Sequence, residues 1–144
     1  MNSSREIPQA LIESAHIELQ RFLNTVTGID FVMLCSSDGF ELALASKKNI
    51  DNTGKIAAVS SSILAMVNAF ITEIQLLGCQ TITLDADNGK VFLTAVHHPQ
   101  HPMVMVAVTH TDILMGQMLY YYKELSALLS SAPLLSLIHI SEPT

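Results

Sequence analysis

The sequence contains no tryptophan, only two cysteines, and charged side chains at 14% of its 144 positions. Each scarcity excludes something. Cys35 and Cys79 sit far apart inside apolar segments, so they make no disulfide framework and point to a reducing compartment. Seven basic against 13 acidic residues leave a formal charge of -6. That balance repels phosphate backbones and argues against nucleic acid or an anionic membrane as the main partner. With 49% apolar residues and so few charges, intrinsic disorder is excluded, and the length suits one domain with a sizeable core. The start, MNSSREIPQ, lacks an apolar signal region, and the long apolar stretches are broken by Asn68, Thr72 and Glu73 or are too short for a bilayer. A soluble, cytoplasmic protein is expected.

Catalytic patterns are missing too. There is no G-x-x-x-x-G-K-[ST] loop and no G-x-G-x-x-G, the backbone cradles that hold nucleotide phosphates. No G-x-S-x-G elbow exposes a serine nucleophile. Cys35 lies in a continuous apolar run, where a thiol is a small buried hydrophobe with a raised pKa, and Cys79 reads the same way. His97, His98 and His101 are bracketed by Pro99 and Pro102 and read as exposed loop histidines rather than metal ligands. His16 and His110 have no sequence neighbour that suggests catalysis. Asp85 and Asp87 flank a turn, where aspartate belongs for conformational reasons. Arg5 and Arg21 are the only arginines, and Arg21 sits on a helical pattern rather than a mobile loop, so neither reads as an arginine finger. The expectation is a protein without catalytic residues, metal ligands or cofactor: not an enzyme.

What is present is a regular succession of elements. Leu11, Ala15, Leu19, Phe22, Leu23 and Val26 recur at helical spacing within Ile7–Val26, before Gly28. Ile29–Ser36 is apolar on both parities, as in a strand covered on both faces. Ser37-Asp38-Gly39 turns it into a second strand, Phe40–Ala45. After a long helical segment come Gln80–Asp85, the turn Asp87-Asn88-Gly89, then Val91–Val96 and Met103–Val108. A last helix from about Thr111 or Asp112 carries Leu114, Met118, Tyr122, Leu125 and Leu129 and ends before Pro133. The first and last strands are the most apolar and should be central; the Thr-rich third reads as an edge that lacks Pro and Lys protection. One domain over 1–131 is expected. The tail over 132–144 resembles translated vector read-through and is set aside.

The segment from Thr53 to Leu77 is the most informative. At about 100° per residue, Ile56, Val59, Ile63, Met66, Val67, Phe70, Ile74 and Leu77 gather on one side. Roughly opposite runs a stripe of small residues: Ala58, Ser61, Ser62, Ala65, Ala69 and Thr72. This stripe reads either as a neutral exposed face or as a surface for close helix packing. Only Lys55 and Glu73 supply charge, which favours packing. The expectation is that the large side chains pack on the chain's own sheet and the small ones face a second subunit.

Taken in series, these features resemble the roadblock family, a group that includes a dynein light chain and bacterial partners of Ras-like GTPases. The resemblance covers about Ile7 to Ser130. It rests on the glycine-led first strand Gly28–Cys35, the Ser37-Asp38-Gly39 turn, and the long Ala- and Ser-rich helix. It continues through Thr81–Val96 with its Asp-Asn-Gly turn, Met103–Val108, and Leu114-Met115-Gly116. It implies an α+β, profilin-like fold: a five-stranded antiparallel sheet with the long helix on one face and the terminal helices on the other. It also implies dimers, with itself or a paralogous chain, formed by pairing third strands and central helices. On this chain the interface would comprise Ala58, Ser61, Ser62, Ala65, Ala69 and Thr72, with Thr81, Ile82 and Thr83. By resemblance, the function is non-catalytic regulation or scaffolding of a small Ras-like GTPase. The alternatives are a small-molecule sensor, which the bulky apolar core disfavours, and a purely structural bridging subunit.

Overall fold

The structure, a computed structural model, describes residues 7–78, 81–110 and 113–131. The tail, Arg5, Cys79 and the expected helix start at Thr111 or Asp112 lie outside the described residues. Pro8 opens the first helix from an extended N-cap position. Its carbonyl accepts the N–H groups of Leu11 and Ile12, which are among the donors a helix start leaves unpaired. The elements are α1 (Gln9–Thr25), β1 (Ile29–Ser36), β2 (Glu41–Ser46), α2 (Thr53–Glu73), β3 (Ile82–Ala86), β4 (Gly89–Val96), β5 (Met103–Thr109) and α3 (Met115–Ser130). They follow the order expected from the sequence.

The five strands form one antiparallel sheet in the order β2-β1-β5-β4-β3. The apolar strands β1 and β5 are interior neighbours, and β3 is an edge, as their compositions demand. In the β1–β2 turn Gly39 has φ 100°, a conformation that glycine adopts without strain. The Ser36 hydroxyl ties this turn by donating to Asp38 Oδ1 at 2.6 Å and accepting the Phe40 N–H at 3.0 Å. The β3–β4 turn is different. Only Asp87 and Asn88 form it, while Gly89 already pairs with Ala86 as the first residue of β4. A Cβ at Gly89 would stand 2.3 Å from the Thr109 carbonyl oxygen of β5, so glycine is required there by space.

Alternation along the strands divides the core in two. Val32, Leu34, Phe92, Val96, Met103, Met105 and Ala107 face α1 and α3. Phe31, Met33, Cys35, Leu93, Val104 and Val106 face α2. The terminal helices thus share one face and the long helix has the other. On the first face Tyr122 fills the space between Phe22 and Phe92, and its hydroxyl donates to the carbonyls of Phe92 (2.9 Å) and Met105 (2.8 Å).

The orientation of α2 departs from expectation. The side chains it buries are Ala57, Ser60, Ser61 and Leu64, not the large stripe. Phe31, Met33 and Leu93 stand up from the sheet here, and a helix lying over bulky strand residues must present small ones. Ile56, Ile63 and Val67 are half-buried at the flank of this contact, and Val59, Met66, Phe70 and Ile74 turn outward. Ser61, expected at a subunit interface, instead points inward and donates its hydroxyl to the Ser36 carbonyl at 3.2 Å. Ala58 remains exposed, but the close backbone approach it permits is made within the chain. The Cβ position of Gly39 lies 3.2 Å from the Ala58 Cα.

Candidate functional site

Five strands need more cover than one helix supplies. On the α2 side the helix packs mainly on β1, β4, β5 and β2. Ile82, Val91 and Val108, toward the β3 side, are left half-exposed. The outward side of the helix shows Met66 (65% exposed), Phe70 (63%) and Ile74 (48%), and β3 adds Leu84 (42%). Leu76 and Leu77 prolong the apolar surface past the C-terminus of α2. Single exposed apolar residues are ordinary; several on one helix and on an unpaired edge strand make a candidate interaction surface.

The residues expected at an interface are distributed along α2 and β3. Ser62, Ala65, Ala69 and Thr72 are exposed along α2, Thr83 is exposed on β3, and Thr81 and Ile82 are half-exposed at its start. Ser61 is separated from them by the sheet contact described above. Sequence reasoning missed Val59, Met66, Phe70, Ile74 and Leu84. The signal for the four helical residues was the large stripe itself, which had been assigned to the interior. With 21 residues and few charges, α2 is also the one helix among the described residues long and apolar enough to cross a membrane. Its attachment to the sheet through Ala57, Ser60, Ser61 and Leu64 makes it one layer of a folded domain.

Several of the polar residues considered for chemistry have structural partners. Asp85 pairs with Lys90 across the β3–β4 hairpin. His110 Nδ1 lies 2.7 Å from Asp30 Oδ1, and its backbone N–H donates to Gly28. His98, expected to be an exposed loop residue, is buried; its Nδ1 accepts the backbone N–H groups of Gln100 and His101, both at 3.2 Å. It organises the β4–β5 loop, while His97 is exposed. Burial pushes the Cys35 thiol from 9.0 up to about 12, with Glu41 adding to the rise, so it stays protonated and unreactive. Among the described residues no group of three or more His, Cys, Asp or Glu could hold a metal ion.

A sheet with one long helix on one face and two terminal helices on the other defines a profilin-like α+β domain. The Roadblock/LC7 domain model matches residues 17–100, and the chain belongs to that family. Its fold is that of MglB from Myxococcus xanthus: TM-score 0.74 at 15% identity, covering 92% of this chain and 94% of that one. The gliding protein MglB of Thermus thermophilus gives a TM-score of 0.74 at 17% identity, over 84% and 89% of the two chains. Profilin IA of Acanthamoeba castellanii also shares the fold, with a TM-score of 0.51 at 14% identity over 80% and 95%. No curated protein matches the sequence significantly.

Proposed function

We infer that the chain works as a pair, joined through the β3 edge and the outward face of α2, and that this pair regulates or scaffolds a small Ras-like GTPase without contributing a catalytic group. The observation that carries the reading is the half-covered α2 side beside an open strand. A second copy would continue the sheet across β3 and lay its own α2 over the bare strip. The contact would combine Ala58, Ser62, Ala65, Ala69 and Thr72 with Thr81, Ile82 and Thr83. Val59, Met66, Phe70, Ile74 and Leu84 would add apolar area. Covering each half-exposed large side chain is worth roughly 1–2 kcal/mol, so a few of them make a strong contact. A stable pair would bury on the order of 800 Å² per partner.

The GTPase assignment rests on family membership and on the likeness to proteins named MglB. Regulation would work by favouring one nucleotide-dependent conformation of the partner, since a binder shifts such an equilibrium only through differential affinity. A cytoplasmic site of action is part of the same reading.

Light scattering on purified protein tests the pairing. The chain should run as a dimer and Ala65→Arg as monomer or aggregate, because a long cation does not fit a close helix crossing. An Ala65→Arg protein that remains a normal dimer would move the contact elsewhere. Co-purification should yield a small GTPase held preferentially in one nucleotide state. The chain alone should hydrolyse no nucleotide; turnover by pure protein refutes the non-catalytic assignment.

A further inference from the structure

On the face opposite α2, α3 packs against β4 and stops short of covering β3. The step between helix and edge strand is a cleft of about 300 Å³. Its floor is Thr81 and Thr94. Thr94 shares its face of β4 with the core residues Phe92 and Val96, and Thr81 lies one step beyond the Ile82–Leu93 pair, opposite Thr94. Lys123 and Ser126 of α3 form the wall, and His97 closes one end. Tyr122 also borders the cleft, but its hydroxyl is already committed to two backbone carbonyls.

The charge of this cleft runs against that of the chain. The whole sequence carries -6, yet none of the described residues lining the cleft is a carboxylate. Arg21 and Lys90 are neutralised by Glu18 and Asp85; Lys123, like Lys47, Lys48 and Lys55, has no ion-pair partner among the described residues, and it alone of these lines the cleft. Its neighbour Glu124 faces the separate groove between α1 and α3. The cleft therefore gathers an ammonium, an imidazole and the hydroxyls of Thr81 and Ser126 around one space.

We propose that this cleft binds a phosphate group. A tetrahedral dianion has acceptor oxygens pointing in several directions, which suits donors arriving from floor, wall and end; a planar monoanionic carboxylate would use fewer of them. The grip is by side chains, not by the glycine-rich backbone loop of nucleotide-binding folds, whose motifs the sequence lacks. The volume lies at the lower limit of small-ligand sites, enough for phosphate with a small attached group. The site lies within one chain, so it stands or falls separately from subunit pairing. Strand pairing would use the β3 backbone and leave the Thr81 side chain on the cleft floor.

Titrating ¹⁵N-labelled protein with inorganic phosphate at constant ionic strength tests the assignment. Saturable amide shifts are expected at Thr81, Thr94, His97 and Lys123–Ser126. Lys123→Gln should weaken binding about tenfold or more, and Lys55→Gln, on the other face, should leave it unchanged. Tighter binding of glycerol 3-phosphate than of inorganic phosphate would identify a phosphorylated small molecule as the ligand; equal or weaker binding would identify free phosphate. Shifts that never saturate, acetate matching phosphate, or equal losses in Lys123→Gln and Lys55→Gln would overturn the proposal.

Discussion

On the α1/α3 side of the sheet, Leu11, Leu19, Phe22, Met118, Tyr122 and Leu129 are almost wholly buried. On the α2 side the helix buries two serines, an alanine and one leucine, and turns Met66 and Phe70 outward. The first face has two helices and satisfies its polar groups internally, as the Tyr122 hydroxyl shows. The second has one helix, most of whose apolar surface lies away from the sheet. The contrast separates two uses of apolar side chains: on one face they hold the chain together, and on the other they remain available for association.

The sharpest way to break this contrast is at Tyr122. Tyr122→Ala should cost about 3–5 kcal/mol through lost packing. Tyr122→Phe should cost about 1–3 kcal/mol by removing the one donor that the Phe92 and Met105 carbonyls share. Urea denaturation measures both, and a loss below about 1 kcal/mol for the alanine variant would mean that this face is not the stabilising one. On the opposite face, Met66→Ser combined with Phe70→Ser should change monomer stability by less than about 1 kcal/mol. The same pair should weaken dimerisation roughly a hundredfold, as loss of central apolar anchors does. Sedimentation at several concentrations separates the two effects. Equal damage to folding and association would erase the distinction between the faces.

The smallest expected effect concerns the buried thiol. Cys35 has a folded-state pKa of about 12 against 9.0 when unperturbed, so folding favours its neutral form. That contribution is complete below pH 9.0. It declines as pH rises toward about 12, because the unfolded chain releases the proton first. Burial raises the Tyr122 hydroxyl in the same direction. Urea midpoints across this alkaline window should fall more steeply for the wild-type chain than for Cys35→Ala. Parallel slopes would show that the thiol is not held in its neutral form.

Strand identity was legible where chemistry left one reading. Ile29–Ser36 is apolar on both parities and forms β1 over that same range; the Thr-rich third strand is an edge. Boundaries moved where tertiary contacts intervened. Gly89, expected within a turn, is a strand residue whose missing side chain admits the Thr109 carbonyl. His98 was expected to be an exposed loop histidine because Pro99 and Pro102 bracket the loop, yet it is buried and its ring accepts two backbone N–H groups of that loop. The residues expected at an interface differ in exposure. Ala65 and Ala69 are exposed, but Ser61 is not, since a helix wheel reports angles between residues and not which angle meets the sheet.

Local patterning therefore sufficed for the succession of helices and strands, the two most apolar strands and the absence of recognisable catalytic motifs, because these depend on spacing along one chain. The rotation of α2, the cleft beneath Lys123 and the strip left bare beside β3 emerged only on assembly. The buried arc of α2, Ala57, Ser60, Ser61 and Leu64, lies between the two stripes and shares only Ser61 with the small one; the bulk of Phe31, Met33 and Leu93, brought from distant strands, selects it. Packing volume across the sheet made that choice, and it is not encoded in the period of any single helix.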